Sequence, residues 1–196
     1  MKKGTIILLV IVGLFAVTIM SGISGYNSLV TMEENVDSKW SQVENVYQRR
    51  ADLIPNLVNT VKGYANHEKE TLQGVIEARS KATSVNVNTD NLSPQAIKKF
   101  EQAQSGLKSA LSRLMVVVEK YPDLKANQNF RDLQAQLEGT ENRITVERMK
   151  FNNAAKEYNA SIRHFPKVLY ASAMGFDKKA YFESSEGAET APTVQF

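Results

Sequence analysis

His67-Glu68 invites the first chemical reading, because histidine followed by glutamate opens the His-Glu-x-x-His zinc helix. That motif needs a second histidine one turn on, and the position is Thr71. The other histidine, His164, is far away in sequence. The chain has no cysteine, so it offers no disulfide, thiolate ligand or thiol nucleophile. It has no Gly-rich phosphate loop and no Gly-x-Ser-x-Gly elbow. Carboxylate pairs such as Glu33-Glu34 fall on solvated helix faces, with no local apolar pocket to shift a pKa. The sequence therefore predicts no enzyme, no cofactor, no metal and no small-molecule substrate. Lys2 and Lys3 supply two of the three net positive charges, which leaves the body close to neutral. That gives no electrostatic footprint for nucleic acid.

Charges placed among apolar residues are more informative. On a helix advancing about 100° per residue, Arg50, Glu68 and Arg79 return to one face, the row of Leu57, Val61 and Leu72. Arg148 takes a core slot between Ile144 and Phe151, with Glu141 one heptad before it. Burying an unpaired charge costs several kcal/mol. Arg50, Glu68, Arg79, Glu141 and Arg148 are thus candidates for a charge network, either internal and register-setting or at a subunit interface. Asn27, Asn56, Asn152 and Asn159 also lie near the stripes. They read as register hydrogen bonds or surface positions, not as a ligand site.

The elements that must position these residues are helices. Apolar residues recur at spacings of three and four in three segments. The first runs from Leu29 through Trp40 and Tyr47 to Tyr64, the second from Ile97 to Tyr121, and the third from Phe130 to Ile162. The near-heptad period predicts an all-α antiparallel bundle of three to four long helices, packed at about 20°. Ser93 is placed to cap the second segment, with Pro94 at its first position. Tyr121-Pro122-Asp123 and Phe165-Pro166 end the second and third. Residues 83–92, polar and helix-poor, form the first long connection. Pro55 interrupts the first segment, as a kink or as the first turn of a new helix capped by Asp52. The stripe continues in phase across it, which favours a first helix kinked near Pro55. The apolar stretch Lys167 to Phe176 packs across the bundle end, and disorder is expected from Ser184 on.

From Gly4 to Met32 no side chain is charged. Thr5 to Ile23 is 19 residues, about the ~30 Å of a bilayer core at ~1.5 Å per residue. The run is long for a cleaved signal peptide, and without cysteine it is no lipoprotein leader. It reads as an uncleaved, single-pass anchor in an inner or plasma membrane. Lys2 and Lys3 precede it and acidic residues follow, so the N-terminus falls in the cytoplasm and the body outside. The division is residues 1–25 as cytoplasmic N-terminus and anchor, 26–182 as bundle, and 183–196 as a disordered acidic tail.

Several runs together resemble the LemA family. They include Tyr26-Asn27-Ser28-Leu29-Val30, Trp40, Arg49-Arg50-Ala51-Asp52-Leu53-Ile54-Pro55-Asn56-Leu57-Val58, and His67-Glu68. Ala78-Arg79, Tyr121-Pro122-Asp123-Leu124-Lys125-Ala126-Asn127, Glu141-Asn142-Arg143-Ile144, Arg148, Phe151-Asn152, Tyr158-Asn159 and Phe165-Pro166 follow in order. The resemblance implies a membrane segment, an antiparallel helical bundle and no established enzymatic activity. It also implies a small extracellular N-terminus in some members, against the orientation that Lys2 and Lys3 favour here.

Two functions fit. A tethered helical domain with charges in its stripe can self-assemble, as rings or arrays, into an envelope scaffold, because tethering raises effective concentration. Alternatively it is an adaptor docking another envelope protein through a bundle face or its aromatic C-terminal segment (Phe165, Tyr170, Phe176, Tyr181, Phe182).

Overall fold

The computed structural model describes residues 3–87 and 92–183. Helix α1, Lys3–Lys62, is a single run of 60 residues that passes through Pro55 without a break. It carries the apolar span directly into the body. Every large apolar side chain from Ile6 to Ile23 is exposed, and the first buried one is Leu29. Helices α2 (Lys69–Ser84), α3 (Pro94–Val118), α4 (Pro122–Ala126) and α5 (Gln128–Ser161) complete the all-α body.

The helix ends have local causes. The Ser93 hydroxyl accepts from the Ala96 N–H at 3.3 Å, and Pro94 opens α3. Asn127 caps α5 by accepting from the Phe130 N–H at 3.1 Å. Helix α3 stops at Val118, and Pro122 opens the one-turn α4 where the sequence predicts only a terminus. Helix α5 ends at Ser161, ahead of Phe165-Pro166.

The first apolar segment differs from its sequence reading. It is not one helix to the end of the stripe, since α1 stops at Lys62 and α2 starts only at Lys69. Gly63 and Asn66 are poor helix formers and lie in this turn. Ala65 is fully buried there, so the apolar spacing carries through a chain reversal. Arg50, Glu68 and Arg79 therefore do not share one helical row. Of the connection expected over 83–92, residues 85–87 and 92 are non-helical and 88–91 lie outside the described residues. The expected disorder from Ser184 also falls outside them.

Helix α5 runs antiparallel to α1. Along the pair, Trp40 meets Phe151, Arg50 meets Glu141, and Tyr64 meets Asn127. Helix α2 folds back on the far half of α1, and α3 returns beside it, so that half is a four-helix bundle. Its core holds Ile54, Leu57, Val61, Leu72, Val75, Leu107, Leu114, Leu124 and Phe130. In the half nearer the span α2 is missing, and an extended C-terminal strap, residues 177–183, takes its place. The core there gathers Leu29, Val36, Trp40, Val43, Phe100, Phe151, Tyr158, Phe176 and Phe182.

Candidate functional site

A polar layer separates the two cores. Arg50 on α1 is 3% exposed. Its guanidinium donates to Glu141 Oε2 on α5 at 3.0 Å and to Gln104 Oε1 on α3 at 2.6 Å. The Gln104 amide in turn donates to the Ala82 carbonyl on α2 at 3.2 Å. One buried cation thus ties all four long helices in register. Lys108 meets the other oxygen of Glu141 at 2.8 Å. Partial burial disfavours the charge on Glu141, but the Lys108 hydrogen bond and the Arg50 and Lys108 charges outweigh it. Its carboxyl is held below the ordinary range.

Arg79 serves a different purpose. Proline at 55 has no N–H to give to the carbonyl four residues back. That carbonyl belongs to Ala51, which is buried, and Arg79 Nε on α2 donates to it at 2.7 Å. The side chain from the neighbouring helix supplies the hydrogen bond that Pro55 removes, so α1 runs on intact. Glu68, at the start of α2, accepts from the Tyr121 hydroxyl at 3.0 Å. Asn127 donates to the Tyr64 hydroxyl at 2.9 Å nearby. These contacts fasten the end of the bundle away from the span.

Arg148 belongs to the near half. It pairs with Glu101 on α3, lies over the Phe182 ring at 4.4 Å, and donates to the Glu183 carbonyl at 3.1 Å. Burial pushes the Glu101 carboxyl up despite the Arg148 charge. Of the five charges singled out in the sequence, the structure brings Arg50 and Glu141 into direct contact. Glu68, Arg79 and Arg148 each bind elsewhere.

Sequence reasoning missed the strap. Asn152 and Asn159, one heptad apart on α5, grip its backbone. Asn159 donates to the Lys179 carbonyl at 2.8 Å and accepts from the Lys179 N–H at 2.9 Å. Asn152 does the same at Phe182, with both bonds at 2.9 Å. Each amide thereby stands in for a neighbouring β-strand. The Ala180 N–H donates to the Leu92 carbonyl at 3.0 Å on the other side. Phe182 stacks on Trp40 at 5.6 Å and meets Phe151 edge-on at 5.5 Å. Lys179 is 7% exposed, its ammonium 2.7 Å from Glu33 and 5.7 Å from the Tyr158 ring centre. Burial, with Glu33 and Asp177 close by, pushes the Tyr158 hydroxyl far up. The available signal was the heptad spacing of two asparagines on a core-facing stripe. Asn27 and Asn56 offer their backbone carbonyls to the Thr31 and Thr60 hydroxyls.

Beside the polar layer an open groove of about 700 Å³ is lined by Tyr47, Arg50, Lys98, Glu101, Lys108, Glu141 and Arg148, among others. Its charges of both signs are already largely paired with each other. Among the described residues no three His, Asp or Glu side chains converge as a metal site.

These polar groups join the chain's own elements, and one apolar helix projects from the bundle. The fold and site define a membrane-associated helical protein. The LemA family profile matches residues 39–196, from just before Trp40 to the C-terminus, and the chain belongs to that family. Magnetosome protein MamQ of Magnetospirillum gryphiswaldense is 30% identical over 183 residues, covering 84% of this chain and 67% of MamQ. Magnetosome protein MamQ 1 of Paramagnetospirillum magneticum is 29% identical over 182 residues, with the same coverage of 84% and 67%. Protein LemA of Metamycoplasma hominis is 26% identical over 160 residues, covering 82% of this chain and 69% of its own.

Proposed function

We propose that this LemA-family protein is a non-catalytic, membrane-anchored scaffold of the cell envelope that assembles with copies of itself. In this reading α1 crosses an inner or plasma membrane once, with Lys2 and Lys3 on the cytoplasmic side and the bundle outside. The observation that carries the reading is the unbroken α1 of 60 residues, about 90 Å at ~1.5 Å per residue. No flexible linker separates span from body. Each bundle therefore stands at a fixed height and a restricted tilt, and its side faces meet the same faces of neighbouring copies. Confinement to the membrane plane raises the effective concentration for such contacts. Heterologous contacts of this kind close into rings or extend as arrays.

An adaptor working through its C-terminal aromatics is less favoured. Phe176 and Phe182 are 5% exposed and belong to the core, so presenting them would open the bundle, and of the five aromatics Phe165 alone stands exposed. The test is the mass of the full-length protein in mild detergent, by light scattering or native mass spectrometry. A discrete oligomer is the expected result. A monomer at all concentrations would overturn the scaffold and move the weight to a docked partner.

A further inference from the structure

Large exposed apolar side chains are scattered along most of the body, with one exception. Beyond Val30, Tyr64, Ile76, Val116, Val146 and Met149 are spread over three helices and the turn after α1. Phe165 (80% exposed), Val168 (50%), Leu169 (72%) and Met174 (54%) all fall within one ten-residue stretch. That stretch is the reversal between the end of α5 at Ser161 and the strap, and includes two 3-10 turns, Lys167–Leu169 and Ser172–Met174.

Its contacts with α1 fix its height. A Cβ added at Gly25 would lie 2.1 Å from Tyr170 Oη, so the tyrosine sits directly on that glycine. Lys167 Nζ donates to Ser28 Oγ at 3.0 Å and to Ser161 Oγ at 2.8 Å. The Tyr26 and Phe176 rings meet edge-on at 5.4 Å. Gly25 lies two residues past Ile23, about 3 Å along the helix axis from the end of the apolar span. The headgroup layer on each side of a bilayer core is roughly 5–8 Å deep. The reversal is therefore level with the lipid headgroups when the span occupies the membrane, whichever side the body is on. Arg163, His164 and Lys178 are exposed along it, beside one acidic residue, Asp177. Apolar side chains interleaved with basic ones, and tyrosines at the boundary, suit an interfacial lipid contact.

We propose that the reversal 163–176 is a second membrane contact. Phe165, Val168, Leu169 and Met174 seat in the leaflet from which α1 emerges, and Arg163 and Lys178 lie among the phosphates. The bundle then rests on the bilayer through two points, the base of α1 and this reversal. The continuous α1 sets the height of the bundle, and the second point fixes which of its faces turns to the lipid. The contact needs only the anchor and does not depend on assembly between copies.

The natural absence of cysteine makes the test direct. Single cysteines replace Leu169 and, as a control, Met149, which is 58% exposed on α5 and paired in height with α1 far above the span. Both positions are solvent-facing, so neither substitution removes core packing. Each full-length variant carries an environment-sensitive NBD dye and is reconstituted in phosphatidylcholine–phosphatidylglycerol vesicles, with either doxyl-labelled lipid or aqueous iodide as quencher. The expected result at Leu169→Cys is blue-shifted emission, with lipid quenching several-fold stronger and iodide quenching several-fold weaker than at Met149→Cys. Equal iodide quenching at both positions would overturn the proposal. So would protection from iodide without quenching by doxyl lipid, because protein would then be covering the patch.

Discussion

Arg79→Met tests the link between Pro55 and the neighbouring helix. The Ala51 carbonyl is buried, and its helical donor is absent because residue 55 is proline. Its hydrogen bond comes from Arg79 Nε at 2.7 Å. Methionine keeps much of the aliphatic packing but removes the donor. Leaving a buried polar group unsatisfied costs about 1–3 kcal/mol, and the guanidinium end is only half-buried, so about 2 kcal/mol is the working value. For a chain of this size that lowers Tm by roughly 4–8 °C. The control is Pro55→Ala, which returns a backbone N–H to the Ala51 carbonyl. In that background Arg79→Met should cost less than about 1 kcal/mol, a coupling of about 1 kcal/mol or more in the double-mutant cycle. Far-UV circular dichroism of the four full-length proteins in one detergent reads all the values. Equal losses in both backgrounds would refute the reasoning, since Arg79 would then act through something other than the carbonyl that Pro55 frees.

Removing either end of the Arg50–Glu141 pair should have unequal effects, because Arg50 is almost wholly enclosed and the Glu141 side chain is 37% exposed. Glu141→Ala strands a buried cation and should cost about 3 kcal/mol, while Arg50→Met leaves Glu141 with Lys108 and orphans the buried Gln104 Oε1, a smaller loss of about 1–2 kcal/mol; urea denaturation orders the two, and a costlier Arg50→Met would contradict the layer described. The Glu141 carboxyl is held low in the fold, so its contribution is present above the ordinary glutamate range and is lost as pH falls through its folded value. The stability gap between wild type and Glu141→Gln should therefore close below about pH 4.3, and a gap that widens there would be inconsistent with that shift. Asn152→Ala with Asn159→Ala removes five hydrogen bonds to the strap, four of them to its backbone. Trypsin should then cut at Lys178 and Lys179 at least tenfold faster while the helices keep their dichroism; unchanged cleavage would mean that the asparagines do not hold the segment.

The helical body was legible because its information is local. Apolar spacing marked the stripes, Ser93-Pro94 marked the start of α3, and a charge-free run marked the span. The error at residues 63–68 shows the limit of that signal. The apolar pattern persists through the turn, with Val61, Ala65 and Leu72 all buried, so periodicity alone does not reveal a reversal. The placement of charges at core positions was equally local, but their partners were not. Arg79 answers a proline 24 residues earlier, and Arg148 reaches residues on α3 and the strap. The strap was the least visible part. Its bonds are backbone to side chain, and neither an isolated asparagine nor a seven-residue extended segment announces such a match.

That strap also imposes an order on biogenesis. The residues that complete the core around Trp40 follow every long helix in sequence, and Phe182 comes 21 residues after α5 ends at Ser161, so the long helices leave the ribosome before it. The far half, closed by α2 through short-range contacts, can form during synthesis, in keeping with the tendency of early segments to fold first. The half beside the membrane stays open until the strap has emerged. Newly made protein thus reaches the membrane with an unfinished aromatic cleft, and the emerging strap supplies the last piece.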